Sequence, residues 1–562
     1  MRFHVNTRYS YQKGRHYLLL IFFLMVIFIN VSCSKVGDVS AAPTSGDNTY
    51  LGYLGEYTQW SKIEISFNGP DSTANNPATN PFTVQVDVTF KGPQNQTYVV
   101  PAFYDGDGKG GSTGNIWKVR FSPDSAGDWS FVSSSPEPKL IMYTGKFKVT
   151  SAPVPGAEQI VDLSLLGRLV SGGGHYLRFS SGKYWVKGGI DDPENFIGAA
   201  IGNWDSKKAA IDYLSTKGVN SIYVITNNID GDRNDSWPWL GETPQKAKEN
   251  SDRFDIQKLQ QWEDFFSYTQ SKGIVLNIVL NDDSCWHGYN HDLYYREMVA
   301  RFGYHPGIIW NIGEEANEIY SDAEQISLAA KMRSLDPFKH PVTVNRGSPW
   351  PFIGNPNFDL TSVQVGDGSL DFTNEQLADL NQVVNDLRVK SEVAGKSIPV
   401  MIDEIARVTQ VNEVTRYKLR SQVLYPIYLA GGNYELHYYD AYYGTGTLTM
   451  QNLEPMLTDM QFARHFLESL PFEIMQPCND MLPDKNVVCF GKAGDLYAIY
   501  LPKGGGITID LQSVPGSYDA SWFDPRTGTE KSIGSISGGK LVSLNAPDNL
   551  DWALKLVNIK YH

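Results

Sequence analysis

Two short runs in this 562-residue chain carry carboxylic acids where apolar stretches stop: Ile308-Ile309-Trp310-Asn311-Ile312-Gly313-Glu314-Glu315 and Val400-Met401-Ile402-Asp403-Glu404. A protonated carboxyl working with an ionised one can cleave a glycosidic bond. One donates a proton to the leaving oxygen while the other attacks the anomeric carbon or activates water. Both runs have the length and composition of buried strands, whose side chains alternate between two faces, so one acid of each adjacent pair is expected to face a shared interior. On the first run Glu315 shares its face with Asn311 and Gly313, whereas Glu314 falls with Ile308, Trp310 and Ile312. Glu315 is therefore the candidate. On the second run Val400, Ile402 and Glu404 share a face that could turn either way, and Glu404 is the candidate on weaker grounds. An arbitrary Glu at a strand end is more often a surface group or a helix cap. Two such ends in one chain argue against that reading here.

The strands that position these acids must run side by side. From about residue 184, eight short apolar segments (184–189, 219–226, 274–282, 307–315, 341–346, 360–366, 398–406 and 433–439) alternate with longer stretches. Amphipathic helices are expected among these at 255–272, 323–335, 375–393 and 413–429, and Gly218 and Gly273 stand where helices should stop. This rhythm predicts a closed (β/α)8 TIM barrel over residues 153–476 rather than an open nucleotide-binding sheet, since no Gly-rich phosphate loop follows any strand. In such a barrel the reactive groups sit at the C-terminal strand ends. Further candidates for holding sugar are Asp191, Asp192 and Glu194 after the first strand, and Asn227 after the second, with Trp237 and Trp239 further along. Asp282, Trp286 and His287 follow the third strand, Asn311 and Glu314 accompany the fourth, and Arg346, Gln364, Glu435 and His437 complete the ring. Glu435 is the main rival carboxylate. About half of these are expected to touch ligand, because loop acids and aromatics also cap helices and pack locally.

Period-two patterns flank the barrel. Ile63, Ile65 and Phe67, then Phe82, Val84, Val86, Val88 and Phe90, predict an N-terminal β-sandwich over 49–152. Short alternating segments after residue 476 predict a small antiparallel β-domain over 477–562. The chain is thus expected to be multidomain α/β plus all-β. Its first 33 residues begin with Arg2, Arg8, Lys13 and Arg15, continue through an apolar run over 17–29 and end in Asn30-Val31-Ser32-Cys33. That is the layout of a signal peptide, too short for a comfortable membrane span. The small residue before Cys33 resembles a bacterial lipoprotein cleavage site, which implies export, a lipid on Cys33 and a place in the cell envelope, outer membrane or periplasm. Residues 34–48 then form a linker, and the lipid is the expected membrane contact.

The formal charge of −14 becomes −18 without those four cations, which argues against nucleic acid as a partner. With Cys33 lipidated, Cys478 and Cys489 are expected to form a local disulfide and Cys285 to remain a thiol. No zinc spacing links Cys285 with His287, His291, His305 or His340, so neither metal nor cofactor is expected. Asp105-Gly106-Asp107-Gly108-Lys109-Gly110 lacks the ligand spacing of an EF-hand and reads as a turn.

The Trp310–Glu315 run resembles the fourth-strand motif of clan A glycoside hydrolases, in which Trp is followed five positions later by the acid/base Glu. The resemblance implies that Glu315 is the acid/base, that Glu404 at the end of strand seven is the nucleophile, and that anomeric configuration is retained. It also implies carboxyls about 5 to 5.5 Å apart, with Glu315 keeping its proton near neutrality. The clan usually has Asn just before that Glu; here it is Glu314, which would accept from the sugar's 2-hydroxyl. More of the chain resembles a group of bacterial lipoproteins with a β-sandwich, a clan A-like barrel and a C-terminal module labelled as collagen-binding. The motifs are Phe103-Tyr104-Asp105-Gly106-Asp107-Gly108, Lys187-Gly188-Gly189 with Asp192-Pro193-Glu194-Asn195-Phe196, Trp237-Pro238-Trp239, and Trp522-Phe523-Asp524-Pro525-Arg526-Thr527-Gly528. The expectation is a retaining glycosidase acting on a poly- or oligosaccharide. The alternatives are a non-catalytic glycan-binding lipoprotein, suggested by 13 Trp, 31 Tyr and 26 Phe and by Glu314, or an adhesin using its C-terminal domain.

Overall fold

A computed structural model describes residues 50–561, except 77, 157–159, 192–195, 200, 233, 367–369, 371–376, 406 and 439–447. Cys33, Asp192 and Glu194 lie outside the described residues. Among those described, no helix is long and apolar enough to cross a membrane.

Eight strands come first: β1 (Tyr50–Thr58), β2 (Ile63–Thr73), β3 (Asp87–Lys91), β4 (Thr97–Pro101), β5 (Phe103–Tyr104), β6 (Thr113–Phe121), β7 (Gly127–Ser134) and β8 (Thr144–Thr150). They pair into two sheets, ordered β1-β8-β7-β3-β4 and β2-β6-β5. Alternation puts Ile63, Ile65 and Phe67 of one sheet and Val88, Phe90 and Phe131 of the other into a common core. Phe90 stacks on Phe121 there, with ring centres 4.1 Å apart. A small antiparallel sheet follows, made of β9 (Leu169–Ser171), β10 (Leu177–Phe179) and β11 (Tyr184–Trp185). Its Leu169, Leu177, Phe179 and Trp185 cluster with Val275, Ile309, Leu360 and Met401, closing one end of the barrel.

The barrel is built from β12 (Gly188–Ile190), β13 (Ser221–Ile225), β14 (Val275–Val279), β15 (Ile308–Asn311), β16 (Val342–Thr343), β17 (Asn345–Gly347), β18 (Ser362–Gln364), β19 (Met401–Glu404) and β20 (Asn433–Leu436). All pairings are parallel, in the order β16-β15-β14-β13-β12-β20-β19-β18-β17. Only Val344 separates β16 from β17, so nine segments make eight staves of a near-closed barrel. Residues 184–185, expected in the first stave, belong instead to the closing sheet. Ile222, Val224, Leu276, Ile278, Ile308 and Trp310 join the main core, while Tyr223, Ile225 and Val279 form a separate interior cluster. Helices begin at capping side chains: Asp255 before 256–271, Asn290 before 291–302, and Ser321, in a capping box with Glu324, before 322–335. The helix expected over 413–429 is interrupted by a π-helical segment, Leu419–Leu424. Pro426 follows closely and has no N–H to continue an α-helical ladder.

An ion network fastens the N-terminal sheets to this barrel. Arg120 of β6 is fully buried and reaches Glu64 at 2.8 Å, Glu263 at 3.1 Å and the Arg301 carbonyl at 3.1 Å. Arg301, on the helix 291–302, reaches back to Asp105 at 3.2 Å and donates to the Tyr104 carbonyl at 2.8 Å. Asp105 also pairs with Lys118, and Asp107 Oδ1 accepts from the Lys109 and Gly111 amides, which makes this acidic stretch a turn. Arg120→Met would leave Glu263 buried with its strongest counter-charge removed. The expected cost is about 3–5 kcal/mol, read from the urea midpoint; a loss below about 1 kcal/mol would show the network to be dispensable.

The last strands are β21 (Gln476–Pro477), β22 (Val488–Lys492), β23 (Leu496–Leu501), β24 (Gly506–Asp510), β25 (Ser517–Asp524), β26 (Thr529–Ser537), β27 (Leu541–Asn545) and β28 (Trp552–Asn558). They form an antiparallel six-stranded sheet, β21-β22-β23-β28-β25-β26, and a β24-β27 pair. The sequence does not announce β26, because its residues are largely exposed and alternate little. Cys478 and Cys489 are joined, with Cα atoms 4.9 Å apart, and Cys285 is a buried thiol. Arg420 pairs with Asp551 at 2.7 Å and Tyr425 stacks on Tyr500 at 4.1 Å, docking this domain on the barrel's helices.

Candidate active site

An ammonium inside a barrel must be compensated. Lys187, 1% exposed, donates to Asp403 Oδ1 at 2.9 Å and to Glu435, while Ser362 Oγ donates to the other oxygen of Asp403. Asp403 and Glu435 are thereby committed to the interior. Glu435, expected as a rival catalytic acid and sugar ligand, is 0% exposed and paired with Lys187.

With Asp403 facing inward, strict alternation would send Glu404 outward with Val400 and Ile402. The pairing of β18 with β19 prevents this. Val363 opposes Ile402 and the next residue, Gln364, opposes Glu404, so two residues of β19 face one step of β18. A bulge of this kind re-aims a side chain. Glu404 accepts from Gln364, lies 3.5 Å from His437 Nδ1, and is close enough to Glu315 to feel its charge.

On the fourth stave, regular pairing ends at Asn311, whose Oδ1 accepts from the Gly313 amide at 3.3 Å and the Asn345 amide at 3.1 Å. Beyond it the Glu314 amide donates to the Asn281 carbonyl, and the Glu315 amide donates to Asn345 Oδ1. Glu315 has a left-handed backbone with φ of 35°, a conformation that costs a non-glycine residue about 1–3 kcal/mol and is held by its surroundings. Alternation therefore does not choose between the two glutamates, and the expectation that only one of each adjacent pair serves the interior is corrected on this stave as on β19. Glu314 is hydrogen-bonded to Asp282, which requires a proton on one of them. Glu315 lies with Asp283 and Glu318, one oxygen of each within 4.8 Å of the others. Those oxygens could reach a common cation, but acid–base cleavage by a carboxyl pair needs none.

The electrostatics follow from this crowding. Burial, then the Glu315 charge, pushes Glu404 up to about 7, against Gln364 and Arg407. Burial, then Asp283, pushes Asp282 up to about 7; burial, then Asp232, Glu315 and Glu318, does the same to Asp283. Burial, then Arg407, brings His437 down to about 3, so it meets Glu404 as a neutral imidazole. Burial, then Glu314, Asp403, Glu404 and Asp191 in that order, pushes the Tyr223 hydroxyl far up, which places these four acids around one interior phenol.

These raised carboxyls make stability depend on pH. A carboxyl raised on folding contributes stability below its ordinary pKa near 4, and that contribution is lost as pH rises through 7. Histidines lowered by burial act in the opposite sense, but only below about 6.5. Between pH 6.5 and 7.5, below the range in which the lowered Lys258 acts in the opposite sense, the melting temperature should therefore fall, and in Asp282→Asn it should fall less. A flat or rising wild-type profile in that window would contradict the assignment.

The structure brings together Asp191, Asp282, Glu314, Glu315, Gln364, Glu404 and His437. It does not bring the other expected ligands into the same relation. Trp239 is fully buried against Trp286, Tyr289 and Tyr294, and the Trp237 ring is covered by the Lys258 ammonium at 4.7 Å, so neither offers a face to sugar. Asn227 is fully buried and braces its loop, donating to Asn281 and the Trp286 carbonyl. Asn311 is 0% exposed and spends its oxygen on backbone amides. Arg346 points away from Asn345's side and is held by Asp322 at 2.6 Å and by the Phe352 ring. Trp286 is half-buried at the edge of the Trp239 cluster, and His287 is exposed beside Tyr320. Lys187, Tyr223, Asp283 and Glu318 were not assigned from sequence. A lone Lys in an otherwise apolar stave was a usable signal for the first.

Residues 56–136 match a family model described as a domain of unknown function, DUF5060, and residues 479–557 match one described as "Putative collagen-binding domain of a collagenase". No curated protein matches the sequence. A solved structure titled as a "putative glycoside hydrolase" from Bacteroides vulgatus ATCC 8482 superposes with a TM-score of 0.69 at 16% identity, covering 90% of this chain and 99% of its own. A family 5 glycoside hydrolase from the same organism gives 0.58 at 18% identity, covering 72% of this chain and 95% of its own. A third structure, titled "Glycoside hydrolase", gives 0.57 at 18% identity, covering 72% and 99%. The chain therefore has a glycoside hydrolase-like fold.

Proposed function

We propose that this protein is a retaining glycoside hydrolase in which Glu315 is the general acid/base and Glu404 the nucleophile. The observation that carries the reading is the convergence of these carboxyls from staves four and seven, close enough for the charge on Glu315 to raise Glu404. Glu404 is pushed up to about 7 beside the Glu315 carboxyl; one proton shared by such a pair, and carried by Glu315 when the bond is cleaved, is the ionisation state the chemistry needs. With the proton on Glu315, the glycosidic oxygen is protonated as its bond to the anomeric carbon breaks, and Glu404 attacks that carbon to give a glycosyl-enzyme. Water then enters, Glu315 takes its proton, and the C–O bond to Glu404 breaks. Gln364 and Arg407 oppose the rise that burial and Glu315 impose on Glu404, and so favour its ionised form against them. Glu314, at the position where the resembling clan carries Asn, is assigned to accept from the sugar's 2-hydroxyl.

The substrate class proposed is a poly- or oligosaccharide met at the cell envelope, with export through residues 1–33 and a lipid on Cys33. The test is mass spectrometry of products from a broad polysaccharide and aryl-glycoside panel. Released sugars are the expected result. Saturable glycan binding with no product from any substrate would replace this reading with that of a binding protein.

A further inference from the structure

On the face of the barrel where the strands end, but outside its interior, the helices 204–216 and 256–271 leave a cavity of about 250 Å³ between their first turns. Trp204 and Lys207 line it from one helix, Lys258 and Trp262 from the other, and Asp235 and Ser236 from the loop after β13. It is smaller than the roughly 300–1,000 Å³ typical of pockets for whole drug-sized ligands. Its size suits a small polar group.

Among the described residues the lining carries more cations than acids. Lys207 is 3% exposed; its ammonium donates to the Gly202 carbonyl at 2.5 Å and otherwise lies 5.2 Å from the Trp204 ring centre. Lys258 donates to the Trp237 carbonyl at 3.0 Å and faces the Trp237 ring. An ammonium carries three donors, and among the described residues each lysine donates to a single carbonyl. Ser236 is 3% exposed, and its buried hydroxyl has no partner among the described residues. Among the described residues Asp235 is the one acid in the lining, and its two oxygens accept from the Ala199 amide at 2.7 Å and from Asn228 at 2.9 Å. Among the described residues, two cations and a hydroxyl without a partner thus face one acid already engaged. Surface lysines ordinarily carry their heads into water; these two are drawn in by carbonyls, and burial lowers both, Lys258 to about 8.

We infer that this cavity is an oxyanion site for a carboxylate or sulfate group, presented by an acidic sugar lying across the rim of the mouth. The identity of the carrier rests on the glycosidase reading; the oxyanion site does not. A bound oxyanion would accept from both lysines and from Ser236, completing their hydrogen bonds.

The test is the melting temperature of the whole chain titrated with sodium sulfate against sodium chloride at matched ionic strength, then with glucuronate against glucose. Sulfate and glucuronate should each give a saturable rise that chloride and glucose do not. Lys258→Met and, separately, Lys207→Met should weaken the apparent affinity at least about tenfold, and Ser236→Ala, a smaller change that leaves both lysines in place, should weaken it less. Glu404→Gln should leave it unchanged, which separates this inference from the catalytic one. A rise that persists in both lysine variants, or no saturable rise at all, would overturn the site. A response to sulfate but not to glucuronate would overturn the acidic sugar as its carrier.

Discussion

Glu404→Gln should stop turnover on every substrate while the protein stays folded. The substitution keeps shape and removes the charge that attacks the anomeric carbon, so the expected fall in kcat is on the order of 10⁴-fold or more. Glu315→Gln should behave differently. It removes proton donation to the leaving oxygen, a contribution of about 10²–10⁴-fold, and that loss should shrink for aryl glycosides whose leaving group needs no proton. The pair of profiles is therefore diagnostic: a loss independent of leaving group for Glu404, and a loss graded by leaving group for Glu315. An active Glu404→Gln enzyme would remove the nucleophile assignment. A graded loss in Glu314→Gln, with Glu315→Gln unaffected, would exchange the roles of the two neighbours.

Lys187→Met should produce the largest loss of stability available from one barrel residue. Asp403 and Glu435 would remain in the interior, 2% and 0% exposed, without the ammonium that both contact. Breaking one buried pair this way costs about 3–5 kcal/mol, and here a single cation serves two acids. Adding Glu435→Gln to Lys187→Met should recover part of the loss, because an amide does not carry the buried charge. Urea unfolding of the three proteins measures it; a single variant within about 1 kcal/mol of wild type would show that water compensates the acids instead. Asp403 is also the extra residue of the bulge that aims Glu404, so the single variant should lower kcat in the fraction that remains folded.

What could be read in the sequence and what could not separate along physical lines. The eight staves were legible because each is a short apolar run bounded by polar turns, and β14, β15 and β19 fall inside the segments expected for them. The capped helices 256–271 and 322–335 fall on stretches read as amphipathic, whereas 291–302 was not among them. The acids at the ends of staves four and seven were visible too, but their orientation was not. Alternation holds only while the strand remains regular, and regularity ends at Asn311 on one stave and at a bulge on the other. A bulge is a relation between two strands, and neither strand's own sequence displays it. Trp237 and Trp239 illustrate the other gap. An indole in a loop at a barrel mouth looks like a sugar platform until the neighbours that cover it, Tyr289, Tyr294 and Lys258, are placed in space. Lys187 was present in the sequence but lacked partners, since Asp403 and Glu435 lie 216 and 248 residues away.

The joint between the N-terminal sheets and the barrel also bears on how this chain is made. Arg120 must wait for Glu263, and Asp105 for Arg301, contacts that span 196 residues in the second case. Synthesis runs from the N-terminus, so the sandwich emerges with a cation and an acid directed at partners still to come. Closing such long loops is slow compared with local folding. The first domain to appear should therefore reach its final stability only after the barrel's helix 291–302 has formed, and a chain arrested before residue 301 should show protease-sensitive sheets that the complete chain protects.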